Sequence, residues 1–415
     1  MTRTLFAAAA ILSLAFAAHA STMTALYSFC QKENCKDGDQ PSSPVLIDSA
    51  GNLYGTTLDG GTIDYGVVYE LTFDSQSKKW VETVLTNFSS AGGGGYKPYG
   101  PLIIDHAGNI YGTASATAFN VNNGAGLVYE LVKSQGWKKQ TLYTFCAQAG
   151  CADGDAPSTG VTYVGQSSGV PYDGVSPLYG TTAAGGTKDY GVVFKLTPSK
   201  GKWTETVLHS FCQVNDCKDG KNTSPVVADG SGLLWGTAQT VGPSILYKMS
   251  AANGAQEVVW NFCTKRNCAD GDGAGGIILD AAGHIFGTDG FKGKKNHGVI
   301  YEMAGSKKLK FNILHNFCSL QNCTDGENST SLVMDGSGNL FGVTLGGGTE
   351  NAGTIFKLTG KKFTQLYDFC GAQDSCSKGY YPDNYNPTLD GNGNLYGATT
   401  RGGNNDKGTV YMLTP

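Results

Sequence analysis

Residues 51 to 72 read Gly-Asn-Leu-Tyr-Gly-Thr-Thr-Leu-Asp-Gly-Gly-Thr-Ile-Asp-Tyr-Gly-Val-Val-Tyr-Glu-Leu-Thr. Two β-like runs, Asn52 to Thr57 and Gly66 to Leu71, flank a Gly-Gly turn. The core of this stretch, Tyr54-Gly55-Thr56, returns at Tyr111-Gly112-Thr113, Tyr179-Gly180-Thr181, Trp235-Gly236-Thr237, Phe286-Gly287-Thr288, Phe341-Gly342-Val343 and Tyr396-Gly397-Ala398. The spacings are 57, 68, 56, 51, 55 and 55 residues, the longest reflecting an insertion near Gly165 to Pro177. A repeat of this length sets the domain count, so the 415 residues are not divided by a length rule.

Each copy holds four short runs. In the first they are Pro44 to Asp48, Asn52 to Thr57, Gly66 to Leu71 and Trp80 to Phe88. Asp-x-x-Gly-Asn, at Asp48, Asp105, Asp335 and Asp390, makes the first connection a hairpin in which Asp caps the turn and Gly turns left-handed. Gly-Gly marks the second connection, at Gly60-Gly61, Gly185-Gly186, Gly347-Gly348 and Gly402-Gly403. Four antiparallel strands per copy and seven copies predict an all-β, seven-bladed propeller. Thr24 to Cys30 matches a fourth run, as in Leu208 to Cys212, while the last copy stops after its third run, Gly408 to Leu413. The N-terminal strand is therefore expected to complete the last blade and remove the two open sheet edges. The copies span approximately 43–88, 98–145, 157–211, 222–262, 274–317, 329–369 and 386–415 plus 22–29, one domain over 21–415. In such a ring the Gly-Gly loops and the links between copies leave on one face and share a rim.

Arg3 precedes the apolar run Leu5 to Ala18, and Ala18-His19-Ala20 fits a signal peptidase site, so residues 1–20 are expected to be a signal peptide cleaved after Ala20. No other stretch is long and apolar enough to span a bilayer, and Leu413-Thr414-Pro415 carries no anchor tail, so a soluble, secreted product is expected, extracellular or periplasmic. Twelve cysteines fall in six close pairs: Cys30/Cys35, Cys146/Cys151, Cys212/Cys217, Cys263/Cys268, Cys318/Cys323 and Cys370/Cys376. Local pairing and export favour disulfides. The alternative, zinc, finds only two thiolates per pair where a structural site takes four ligands. With a net charge of −4 and only three arginines, the chain lacks the forks that grip phosphates, and nucleic acid is not an expected partner.

The Gly-Asn-Leu-Tyr-Gly-Thr-Thr, Gly-Gly and Gly-Val-Val-Tyr-Glu-Leu-Thr pattern resembles the bacterial tandem-repeat family called GloVer. The resemblance covers nearly all of the chain beyond residue 20, strongest in copies one, three, six and seven. Copies two, four and five depart in the Gly-Gly loop, which copy four lacks almost entirely. The resemblance implies export and a repeat fold, often with a C-terminal anchor that this sequence does not show. It implies no activity and no catalytic residue.

Candidate chemistry is sparse. Cys-x-Asp-Gly recurs at Asp37, Asp153, Asp219, Asp270 and Asp325, either capping its own loop or forming a cation ring. His209 and His315 stand where other fourth runs carry Tyr, and His284 where the hairpin carries Asn, which marks them as packing variants rather than bases. Gly165-Gln166-Ser167-Ser168-Gly169 has the form of a nucleophile elbow but lies in a polar insertion. No cofactor or metal site is expected.

Two links replace Cys-x-Asp-Gly with tyrosines. Tyr96 and Tyr99 precede copy two; Tyr380, Tyr381 and Tyr385 precede copy seven; in a closed ring only residues 30 to 42 separate them. With Tyr65 and Asp64 of the adjacent Gly-Gly loop they could form a ligand groove, since phenol rings stack on sugars while carboxylates bond hydroxyls. The plain alternative is that these rings pad loops lacking the regular staple. The sequence thus favours a non-enzymatic module binding a glycan or another exported protein. A carbohydrate-active hydrolase or lyase using Asp64, Asp189, Asp383 or Glu350, and a purely structural surface protein, are the competing readings.

Overall fold

The computed structural model describes residues 21–89, 95, 97–115, 126–273, 275–305, 309–371, 376–382 and 387–415. Seven four-stranded antiparallel blades stand in a ring. Blade one consists of Asp39–Pro41 with Leu46–Ile47, then Leu53–Asp59, Val67–Asp74 and Lys79–Asn87. Its first strand is therefore split in two, as is that of blade seven. First strands of successive blades touch one another, which places them around the axis.

The repeated tripeptide has a steric cause. A Cβ on Gly55, Gly112, Gly180, Gly236, Gly287, Gly342 or Gly397 would sit 2.3–2.6 Å from the third-strand ring of the same blade: Tyr69, Tyr129, Phe194, Tyr247, Tyr301, Phe356 or Tyr411. Only glycine leaves room for that ring. The ring in turn meets the phenylalanine that ends the preceding blade's fourth strand. Those pairs are Phe29 on Tyr69, Phe88 on Tyr129, Phe145 on Phe194, Phe211 on Tyr247, Phe262 on Tyr301, Phe317 on Phe356 and Phe369 on Tyr411, with centroids 4.9–5.7 Å apart. One knob between each pair of blades, repeated seven times, is the core of the ring. A bulge in every third-to-fourth pairing, for example between Val68 and Tyr69 or Ala25 and Tyr27, drops one apolar residue from the ladder, Leu26 or Leu85 in those blades.

Near the axis the blades are joined by polar contacts. Thr237 Oγ1 donates to Gly275 O at 2.9 Å, Thr388 Oγ1 to Val45 O at 2.5 Å, and Gly160 N to Thr113 Oγ1 at 3.3 Å. Closure follows the expected route. Thr22–Ser28 pairs antiparallel with Thr409–Thr414, with Thr22 opposite Thr414, and forms the outer strand of blade seven.

The insertion after Thr162 reaches back over blade two: Asp105 and Tyr172 form a parallel bridge, and the fully buried Tyr172 ring lies 5.1 Å from Tyr111 and from Tyr163. Ser167 of the Gly-x-Ser-x-Gly run sits in a 3-10 turn and donates to Ala228 O at 3.1 Å, so it is a strut between blades and not a nucleophile elbow.

Candidate functional site

All six cysteine pairs are disulfides, each within its own loop. The carboxylate of Cys-x-Asp-Gly closes the same loop. Asp37 accepts from Gln31 N and Lys32 N, and Asp153, Asp219, Asp270 and Asp325 repeat that geometry. These five groups are turn caps, spent on backbone amides. The Tyr27 and Tyr143 hydroxyls add a bond to Asp37 and Asp153 at 2.8 Å, and in two other blades His209 and His315 lie 3.3 Å from Asp219 and Asp325. Burial would raise the Asp325 carboxyl, but bonds from His315, Ser319 and two amides hold it down to about 2. Burial, ahead of the neighbouring Asp219, lowers His209. The hairpin aspartates likewise act locally: Asp48 accepts from Ala50 N, Asn52 N and Nδ2 and the Tyr54 hydroxyl, and His284 takes the place of that Asn beside Asp280.

Gly-Gly loops and disulfide loops share one rim, as expected from the topology. The amide of the second Gly donates to the second cysteine's carbonyl: Gly61 to Cys35, Gly186 to Cys151, Gly348 to Cys323 and Gly403 to Cys376, with Gly293 to Cys268 in the variant loop of blade five, all at 2.9–3.3 Å. A polar side chain ending the fourth strand holds the next amide in four blades. Asn87 accepts from Thr62, Ser210 from Thr187, Asn316 from Lys294 and Asp368 from Thr349. Asp64 and Asp189 cap the loops themselves, accepting from Gly60 N at 2.7 Å and Gly185 N at 2.8 Å. They are structural acids in a repeated role that Asp406 and Asn351 also fill. Glu350 is exposed on the loop of blade six, and Asp383 lies outside the described residues.

The tyrosine sector resolves into two places. Tyr65 and Tyr99 are half-buried at the seam of blades one and two; Tyr65 packs on the cluster of Tyr54, Phe88 and Leu127, and its carbonyl accepts from Lys97 N. Tyr380 and Tyr381 stand where blades six and seven meet, their rings 5.0 Å apart and tilted. Burial, and then its bond to Asp406, raises the Tyr380 phenol. Tyr381 is 46% exposed. Tyr96 and Tyr385 lie outside the described residues. Between the two places runs the loop of residues 30–42, tied to blade seven by Gln40 N to Lys407 O and by Lys407 Nζ on Asp39 at 2.5 Å.

Sequence reading missed a wider pattern: exposed large apolar side chains gather on this rim, with Ile63, Tyr190, Val214, Val241, Phe291, Leu320 and Tyr381 all in its loops or at the axial mouth. Charge is uneven between blades as well. At one inward position of the fourth strand stand Glu82, Lys139, Glu205 and Gln256, then Phe311, Phe363 and Met23. Glu82 holds Lys32 at 2.6 Å, and Lys139 lies 4.5 Å over the Phe88 ring, lowered by burial. Glu205 has no such partner; burial and then Asp153 push it up to about 7. Its folded value exceeds its unfolded one, so its contribution to stability is complete below about pH 4.5 and is lost as pH rises through about 7. Raising the pH from about 5 to about 8 should therefore lower the Tm of the parent more than that of Glu205→Gln, as read by differential scanning fluorimetry. Parallel curves would mean Glu205 titrates normally.

A family model described as the Gloeobacter/Verrucomicrobia repeat matches residues 12–174 and 273–415. No curated protein matches. Among solved structures, the extracellular domain of the one component system from B. thetaiotaomicron aligns at TM-score 0.52 and 10% identity over 91% of this chain and 40% of that one. A puromycin hydrolase S511A mutant complexed with PGG aligns at 0.50 and 14% over 87% and 50%. TolB from Acinetobacter baumannii aligns at 0.39 and 11% over 66% and 54%. The chain thus spans about half or less of the length of these proteins, and the likeness is one of fold alone.

Proposed function

Since the chain belongs to the Gloeobacter/Verrucomicrobia repeat family, a premise that supplies a fold and no chemistry, we propose that it is an exported, non-enzymatic binding propeller. Its loop rim engages another exported protein. The observation that carries this reading is the gathering of exposed apolar side chains on one face of the ring, such as Phe291 at 68% and Val241 at 67%, in loops stiffened by disulfides. Rigid loops presenting apolar side chains lose little entropy on binding. Export, with residues 1–20 as signal peptide and 21–415 as one domain, is part of the same proposal; six disulfides suit an oxidising compartment, and no helix among the described residues is long and apolar enough to cross a membrane.

A glycan is the second reading, favoured by the Tyr380 and Tyr381 pair beside Asp406 and Arg401. The hydrolase reading has lost two of its four acids, because Asp64 and Asp189 each commit an oxygen to a loop amide. Photo-crosslinking side chains placed at Phe291 and Tyr381, with Phe73 on the opposite face as control, should give protein adducts in the exporting host from the rim positions only. Adducts from Phe73 alone would overturn the rim assignment. Binding on a glycan array that Tyr96→Ala, Tyr380→Ala and Tyr381→Ala together abolish would replace the protein partner with a sugar.

A further inference from the structure

Blade four breaks the rim pattern in a way that leaves a vacancy of defined chemistry. Its second and third strands, Leu233–Ala238 and Ile245–Ser250, are joined by residues 239–244, where blade one uses 60–66 between Leu53–Asp59 and Val67–Asp74. The shortened loop carries no Gly-Gly. In its place lies a cleft lined by Asp216, Lys218, Thr240, Pro243, Val258 and Asn261.

The cleft has two acceptors that the other blades use. Six disulfide loops enter blades, and in five of them the second cysteine's carbonyl accepts an amide from the neighbouring Gly-Gly loop or its variant. In the sixth, Cys217 O accepts from Gly220 N alone among the described residues. Asn261 stands at the position of Asn87, Ser210, Asn316 and Asp368, each of which holds the following loop amide. Asn261 is exposed, lines the cleft, and holds no loop amide.

We infer that this cleft receives a Gly-Gly turn presented by a partner polypeptide, docked as the protein's own Gly-Gly loops are docked in the other blades. The successive amides of the turn donate to Cys217 O and Asn261 Oδ1. The turn must be glycine at its first position, because a Cβ on Gly60 would lie 2.6 Å from Cys35 O, the counterpart of Cys217 O. Both glycines of the resident loop adopt a left-handed φ, 79° and 80°, which few other residues supply. Val258 and Pro243 offer apolar walls to the side chain that follows, as Ile63 follows Thr62 in the resident loop. This inference rests on the rim-binding proposal and names the chemistry of one partner element.

The test uses the whole chain and a cyclic peptide of the sequence of residues 59–66, Asp-Gly-Gly-Thr-Ile-Asp-Tyr-Gly, carrying a fluorophore. Cyclisation holds the turn and limits the ordering cost. Fluorescence anisotropy should show saturable binding. Asn261→Ala, an exposed change that leaves the fold alone, should weaken it about five-fold, the worth of one neutral hydrogen bond. N-methylation of the amide equivalent to Gly61 should weaken it by at least as much. Replacing residues 241–244 by residues 60–66 fills the cleft from within and should abolish binding with an unchanged Tm. No saturable binding, equal binding of the N-methylated peptide, or binding that survives the loop graft each overturns the inference. Rim crosslinks that persist in such a case would leave the wider proposal standing, whereas their absence would remove both.

Discussion

Deleting Ser21 to Phe29 is expected to open the ring and lower the Tm by about 10 °C or more, or to send the protein into aggregates. The strand it removes supplies all of blade seven's outer ladder, six residue pairs from Thr22 opposite Thr414 to Ser28 opposite Thr409. It also removes Phe29, fully buried and packed 5.0 Å from Tyr69, and Met23, 5% exposed. Truncating a buried phenylalanine costs about 3–5 kcal/mol by itself. The remaining edge, Thr409–Thr414, would present its unpaired amides to solvent or to another molecule. Thermal melts and size-exclusion chromatography of the truncated chain decide the matter. A melt equal to that of the parent would mean the ring does not depend on this seam.

The second large effect is expected at a glycine with no unusual backbone. Gly287→Ala should destabilise by about 1–3 kcal/mol, the range for overpacking a filled core, because the new methyl would lie 2.3 Å from the Tyr301 hydroxyl and 2.4 Å from Cζ. Tyr301 cannot retreat: it is fully buried, with Phe262 and Phe311 about its ring. Tyr301→Val in the same chain should recover part of the loss, a coupling that urea melts of the four variants would reveal. Gly51→Ala makes the contrast. Nothing lies within 4 Å of its Cβ, but φ is +84°, so the loss there is backbone strain of about 1–2 kcal/mol. Additive losses at Gly287 and Tyr301 would contradict the steric account of the repeated tripeptide.

Blade number, closure, the shared rim and the local disulfides were all legible in the sequence, because each is a matter of spacing. Thr24 to Cys30 looked like a fourth run and is one. The reason for Tyr-Gly-Thr was not legible, since Gly287 and Tyr301 are separated along the chain and meet only across a strand pair. The bulge was hidden for a similar reason: it adds a residue such as Leu85 without disturbing the apolar character of the run. At the candidate site, Asp64 and Asp189 read as free acids because sequence does not show that an amide four residues earlier turns back to meet them. Tyr65 and Tyr99 were correctly placed beside one another but are half-buried. Copy four's missing loop was visible as a deletion. Its consequence was not, since that depends on where Cys217 O and Asn261 stand in the folded ring.

The seam in blade seven also fixes how the molecule would answer to pulling. Thr22 and Thr414 are cross-strand neighbours, so a load applied through both chain ends falls on one rung of an antiparallel ladder. The rungs would then yield one after another, like a zipper, instead of sharing the load as they do in shear. Force enters at a single hydrogen-bonded pair and must travel through the Phe29 contact before it reaches blade one. Tethered at its two ends, the propeller is a soft link whose first yielding step is the release of a single outer strand.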